Sequence, residues 1–444
     1  MKIPILKDAL FRSSGASLIV RVVEMGLAYV LIFVLARFLG VEEYGRYAFL
    51  LAVVNLLLIL PQFGLAALLV RECGKAIANS ELGKIFGLKR WAFRQAALVS
   101  LLIGIPVAIY AVISGETRFS DVAIGASFAL LVLVPLATIS SAILRGMGSI
   151  AASQITARVV RPAVQAAIVA AFFLVPASAV EWPLATAASA MIANAVGAVV
   201  ALFIGTLLLR RALGSAGGTV TKKTSIEIPG WKASVIALGL ANAIQVLDSQ
   251  TGVLLLGILS TETQTALFKT AAQFAMLTSI GYVAVNIPVA PKIATHWEKG
   301  EFDEVRKVAS RGSLWGTMIA LPIFAFFVLF GRLFLGTTLG AEFEGAYSSL
   351  VLLSAAQLIN ASFGSSTSLL TMVNLEKANT VAFAIALGVT LVLALFLVEP
   401  YGSVGMAAAA SIGILMRNLI LWAMAIRFAG INTAFWASLT ARKI

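Results

Sequence analysis

The sequence predicts an all-α, polytopic membrane protein, with 12 transmembrane helices in two six-helix lobes related by pseudo-two-fold symmetry. Three observations carry that expectation. The 444-residue chain is 60% hydrophobic and only 12% charged, with a mean hydropathy of +0.99; soluble domains run at roughly 45–50% apolar and 25% charged. Its apolar residues gather into twelve stretches, each near the roughly 20 residues that a bilayer core requires. Its Lys and Arg concentrate in alternate connections, the asymmetry that sets membrane orientation.

Taken in order, the stretches are Ser17–Phe38, Tyr47–Val70, Trp91–Ile113, Val122–Leu144, Ile155–Val175, Leu184–Leu209, Ala233–Leu259, Ala266–Pro291, Leu314–Leu335, Tyr347–Val373, Thr380–Val398 and Val404–Phe428. The first is too long for a signal-peptide core of about 7–15 residues and has no small-residue cleavage site after it, so it reads as a retained helix. Pro61, Pro106, Pro135, Pro288 and Pro322 fall in or near these helices, where neighbouring helices or water can satisfy the freed carbonyls.

Placing the amino terminus in the cytoplasm assigns 26 of the 33 basic residues to the inner side, with Arg145, Arg158 and Arg161 counted in one inner turn. Five fall outside (Arg37, Arg46, Arg118, Lys269, Arg332) and two within helices, Arg21 and Arg417. Both termini are therefore expected in the cytoplasm. The Gly-, Ser- and Thr-rich run "RRALGSAGGTVTKKTSIEIPGW" reads as a flexible linker, which divides the chain into a lobe of residues 1–211, a linker of 212–230 and a lobe of 231–444. The inner turns "ILRGMGSIAAS" and "LLTMVNLEKAN" lie 226 residues apart and join helices of the same orientation. Two charged inner segments, "ECGKAIANSELGKIFGLKR" and "THWEKGEFDEVRKVASR", repeat in the same way. In the second, acids open and bases close a helix with one apolar face, so two short amphipathic helices are expected on the inner leaflet. Two six-helix halves in parallel orientation suit lobes that rock about a midplane site.

Composition also excludes. One cysteine, Cys73, and one histidine, His296, leave no material for a disulfide, a metal cluster or a His-based triad, and no cofactor motif occurs. The net charge of +13 follows from the inner loops and implies no nucleic-acid partner. The outer loops carry isolated acids (Glu42, Glu43, Glu116, Asp121, Glu181, Glu262, Glu342, Glu344, Glu399) and no histidine, which is poor material for an enzyme.

The residues that stand out are ionisable groups inside helices. Arg21 and Glu24 share a face of helix one at i,i+3 spacing, and lie about 10 and 15 Å deep at 1.5 Å per residue. Two readings stay open: a self-neutralising pair that locks helix one to a neighbour, or part of a cavity wall, the usual meaning of an intramembrane charge. Arg417 on helix twelve is again about 15 Å deep. Asp248 on helix seven follows Glu24 by 224 residues, close to the repeat offset. Gln245 beside Asp248 and Asn55 on helix two complete the candidate substrate-contacting set: Arg21, Glu24, Arg417, Asp248, Gln245 and Asn55. The polar residues of helix ten (Gln357, Asn360, Ser362, Ser365, Ser366) read as interhelical glue.

The stretch "LARFLGVEEYGRYAFLLAVVNLLLILPQFGLAALLVRE", Leu35–Glu72, contains Arg37, Leu39, Gly40, Tyr44, Gly45, Tyr47, Phe63, Gly64, Leu65 and Arg71 in a recognisable order. With "ILRGMGSIAASQITARVVRP", "VAPKIATHWEKGEFDEVRK" and "EPYGSVGMAAAAS", it resembles the bacterial polysaccharide flippases, members of the superfamily that includes multidrug and toxin extruders and lipid II flippases. The resemblance implies movement of a polyprenyl-diphosphate-linked oligosaccharide from the inner to the outer leaflet of the bacterial inner membrane, for lipopolysaccharide or exopolysaccharide synthesis. Membrane lipids and a proton or sodium ion as coupling ion come with that reading. An ion-coupled drug extruder of the same superfamily is the alternative. A diphosphate calls for a cationic cavity, with Arg21 as its ligand, Glu24 holding Arg21 in place and Arg417 as a second contact. A cationic drug calls for an acidic one; Arg21 and Arg417 against Glu24 and Asp248 leave the balance mixed.

Overall fold

The computed structural model describes residues 3–79, 81–113, 119–173, 185–215, 232–373 and 375–440. Every regular element among them is helical. Nine helices among the described residues are long and apolar enough to cross a membrane, and a bent pair, Glu262–Ala275 with Ile280–Glu298, makes a tenth span. Two of the nine are double: Ile3–Leu57 turns at Gly40 (φ 72°, ψ 175°) and Glu376–Ala429 turns at Gly402 (φ 53°, ψ −129°). Divided at those corners, the described residues hold the twelve expected spans. Both corners need glycine, because a Cβ at positive φ collides with the following carbonyl.

The first corner is tighter than the hydropathy pattern suggests. Helix two resumes directly after Gly40 rather than at Tyr47, because Glu42 and Glu43 are drawn into the helix by Arg46, which lies 2.6 Å from Glu42 and also pairs with Glu43. The other Glu43 oxygen accepts the Ala187 N–H at 2.7 Å, at the start of helix six, Ala187–Ser215, where a carboxylate complements the helix dipole. These two acids are thus structural.

Four spans are interrupted. Helix two continues through Ile59–Gln62 and Leu65–Ala78. Helix five runs Ile150–Gln154, a π-turn Ile155–Val159, then Val160–Phe172. Helix eight bends by 46° between its two segments, and helix ten is Tyr347–Phe363 followed by Ser366–Met372. Pro106, Pro135 and Pro322 sit inside continuous helices, so proline does not mark the breaks there.

The two amphipathic inner helices do not form as separate elements. Helix two extends to Ala78, and helix three, Leu82–Ile113, begins after a short turn. Phe302–Thr338 is one 37-residue helix. Its charged opening is fully compatible with helix, with Lys307 paired to Glu304 at 2.7 Å and Arg306 to Asp303 at 3.4 Å, so nothing stops the helix before the apolar run begins. The linker expected at residues 212–230 starts inside helix six, and residues 216–231 lie outside the described residues.

The chain forms two compact units, Met1–Val246 and Leu247–Ile444. In the first, Leu69, Cys73, Ile85, Leu88, Ile143, Leu144 and Leu209 pack the ends of helices two, three, four and six together. In the second, Ile293, Val305, Ala309, Leu369 and Ala425 do the same for helices eight, nine, ten and twelve. Large apolar side chains stand on outward faces, among them Leu102 (75% exposed), Tyr110 (74%), Leu329 (73%) and Phe396 (73%). Surfaces of that kind belong against lipid.

Candidate substrate site

In the first unit, the π-turn of helix five adds one residue to the helical repeat, a feature common at functional sites. Arg158 projects from it and reaches both carboxylate oxygens of Glu24 on helix one, at 3.1 Å each. Both bonds come from one nitrogen, Nη1, so this is a bifurcated, charge-assisted contact. Glu24 is therefore tied to Arg158. Arg21 is exposed and forms no ion pair among the described residues, which corrects the expected Arg21–Glu24 pairing: both Glu24 oxygens are met by a guanidinium nitrogen from another helix. One turn further on, Arg161 lies near Tyr47 and has no carboxylate partner among the described residues. Helix six approaches there closely: a Cβ on Gly197 would stand 2.6 Å from the Arg161 carbonyl oxygen. The buried Tyr47 hydroxyl accepts from Gln165 Nε2 at 2.8 Å and Asn194 Nδ2 at 3.3 Å, and Gln165 also donates to Ala190 O at 3.1 Å.

In the second unit, Arg417 Nη1 lies 3.5 Å from Asp248 Oδ2, with its guanidinium 4.6 Å from the centre of the Phe383 ring. Two of the expected site residues, from helices twelve and seven, thus meet. A strip of neutral polar groups belongs to the same unit. Ser368 Oγ donates to Asn286 Oδ1 at 3.2 Å, Asn379 Nδ2 donates to Thr371 Oγ1 at 2.8 Å, and Tyr282 sits beside Thr367. All six side chains are half-buried on apolar helices, so they remain accessible to a polar ligand. Gln245 is exposed, about one turn before Asp248, and Asn55 is half-buried on helix two, with no side-chain hydrogen bond of either residue among the described residues.

Each unit therefore sets one carboxylate of its early helix against one later arginine: Glu24 with Arg158, and Asp248 with Arg417. Sequence reasoning missed Arg158 and Arg161 by counting them as turn charges; they lie inside the span Ile150–Phe172. The signal was present, since i,i+3 spacing within the predicted fifth stretch puts both on one helix face. Tyr282, Asn286 and Asn379 carried no comparable signal. Among the described residues, no group of His, Cys, Asp or Glu is placed to hold a metal ion.

Residues 10–297 match the family described as polysaccharide biosynthesis protein. The chain belongs to that family. A relative in Haloferax volcanii, named as the probable low-salt glycan biosynthesis flippase Agl15, is 22% identical over 429 residues, covering 93% of this chain and 82% of the relative. Among solved structures, the lipid II flippase MurJ in an inward closed conformation aligns with a TM-score of 0.73 at 12% identity, over 98% of this chain and 91% of its own. An inward-facing multidrug resistance MATE family transporter of the MOP superfamily aligns with a TM-score of 0.72 at 12% identity, over 91% of this chain and 95% of its own. The resemblance seen in Leu35–Glu72 thus holds for the family, and the all-helical fold is shared with these transporters. The chain is a multi-pass membrane protein.

Proposed function

We propose that the protein moves a polyprenyl-diphosphate-linked oligosaccharide from the inner to the outer leaflet of the bacterial inner membrane by alternating access, with both termini cytoplasmic, for surface polysaccharide synthesis. The observation that carries this reading is the surplus of cations within the spans. Glu24 and Asp248 are each matched by one arginine, while Arg161 and Lys269 have no carboxylate partner among the described residues. A diphosphate compensates such groups; a drug cation is repelled by them.

Within each unit the arginine, Arg158 in the first and Arg417 in the second, is a proposed phosphate contact, because guanidinium meets phosphate oxygens bidentately and stays charged in a dry site. Their carboxylates keep the empty site near neutral, which limits the cost of buried unpaired charge. When phosphate takes the arginine, its carboxylate, Glu24 or Asp248, is left without its counter-charge. That exchange offers a route for a proton as coupling ion. Arg21, exposed on helix one, and Arg161 add positive potential, and the neutral strip of Tyr282, Asn286, Ser368 and Asn379 suits sugar hydroxyls.

The test is export of lipid-linked glycan in a strain lacking its flippase, with Arg158→Ala, Arg161→Ala and Arg417→Ala at matched expression and with tolerance to cationic drugs measured in parallel. Export should fall with each substitution while drug tolerance stays unchanged. Unchanged export with altered drug tolerance favours the extruder instead.

A further inference from the structure

Helix ten breaks at Gly364 (φ 65°). Its second half, Ser366–Met372, carries Thr367, Ser368 and Thr371, the hydroxyls that meet Tyr282, Asn286 and Asn379. A broken helix leaves backbone carbonyls without intrahelical partners, which is costly within a membrane span. Ser366 Oγ lies 3.3 Å from the Phe363 carbonyl oxygen, and a shorter bond comes from the segment that follows helix twelve. Thr433 Oγ1 donates to Phe363 O at 3.1 Å and lies 2.6 Å from Ser366 Oγ, so one hydroxyl bonds on both sides of the break. The Thr433 carbonyl accepts from Ser313 Oγ of helix nine at 2.5 Å. The Ser313 side chain also fills the space that a Cβ on residue 364 would need.

The segment is built to reach that point. Gly430, in the left-handed region, closes helix twelve by donating to Ile426 O at 3.0 Å. Asn432 Oδ1 then accepts from Trp422 Nε1 at 2.9 Å and from Ala434 N–H at 3.1 Å, which turns the chain back. Thr433 and Ala434 are 0% exposed. Trp436 meets Phe363 and Trp422 edge-on at 5.5 and 6.0 Å. Aromatic packing alone would hold this segment against helix ten. It does not account for a buried residue whose hydroxyl and carbonyl are directed at three helical segments around one glycine.

We infer that Thr433 is a positioning residue: Ile431–Trp436 clamps the break in helix ten and so sets the half-helix that presents Thr367, Ser368 and Thr371. The substrate role of those hydroxyls rests on the function proposed above; the clamp rests on the hydrogen bonds alone.

The test uses the purified full chain in nanodiscs, with Thr433→Val, which keeps shape and loses the hydroxyl, and Thr433→Ser, which keeps the hydroxyl. Amide hydrogen exchange in residues 365–373 should quicken roughly ten-fold in Thr433→Val, as loss of one or two net hydrogen bonds implies. Thr433→Ser should match the parent, and helix eleven should be unaffected in both. In reconstituted vesicles, Thr433→Val should raise the half-saturating concentration of lipid-linked glycan more than it lowers the maximal rate. Unchanged exchange in residues 365–373 overturns the inference. So does equal quickening in Thr433→Ser, or quickening spread over the whole chain, which marks general loosening. Exchange requires no substrate. If it responds as expected while the parent transports no glycan, the proposed function fails and the clamp stands.

Discussion

Replacing Arg417 separates a substrate contact from a structural pair. Arg417→Ala removes a cation–π contact with Phe383 at 4.6 Å, worth about 1 kcal/mol, and leaves Asp248 without its cation. Breaking a fully buried ion pair costs about 3–5 kcal/mol. This pair is long at 3.5 Å, and Asp248 keeps 33% of its side-chain exposure against 15% for Arg417, so solvent screening reduces that cost to about 1–2 kcal/mol. The variant should lose about 2–3 kcal/mol in all, read as a fall of several degrees in thermal midpoint in detergent. Arg417→Met together with Asp248→Leu leaves no unpaired charge and should recover most of that loss. Export in a flippase-deficient strain should not recover, because the phosphate contact is gone. Wild-type export by the double variant would refute the reasoning and make the pair structural glue.

Further outcomes follow from other parts of the fold. Gly402→Ala meets both a positive φ and Gln264, whose Oε1 accepts the Ser403 N–H at 2.8 Å; it should cost about 1–3 kcal/mol, seen as a lower thermal midpoint, and a neutral result refutes the strained corner. Glu43→Gln weakens the bond to Ala187 N–H and the pair with Arg46, so stability should drop by about 1–2 kcal/mol while export per folded molecule is kept. Tyr47→Phe leaves Gln165 and Asn194 without their shared acceptor, an expected loss of about 1–3 kcal/mol; an unchanged thermal midpoint shows that the two amides find other partners. In a Cys73→Ser background, Tyr401→Cys should react with an impermeant maleimide in intact cells and Ser149→Cys only after permeabilisation. The reverse pattern overturns the orientation.

The span count was legible because hydropathy is a local property: whether twenty residues can dissolve in lipid depends on those residues alone. The family was legible because Leu35–Glu72 keeps its corner residues in order, and Gly40 and Gly64 both adopt positive φ. Asp248 and Arg417 could be nominated because a charge inside an apolar run is conspicuous whatever its partner. The partners themselves were not readable. Glu24 chooses Arg158, 134 residues away, over Arg21 three residues away, and that choice depends on how helices one and five are rotated against each other. The π-turn at Ile155–Val159 changes that rotation with no marker in the sequence. Helix breaks were hidden for the same reason. Pro106, Pro135 and Pro322 leave their helices continuous, whereas helix ten breaks at Gly364, where Ser313 and Thr433 supply the contacts that make the break tolerable. The sequence by itself determined which segments enter the membrane, because transfer into lipid is summed residue by residue. Only the tertiary structure decided which polar groups face one another, because a hydrogen bond or ion pair is fixed by angles and ångströms between segments far apart in the chain.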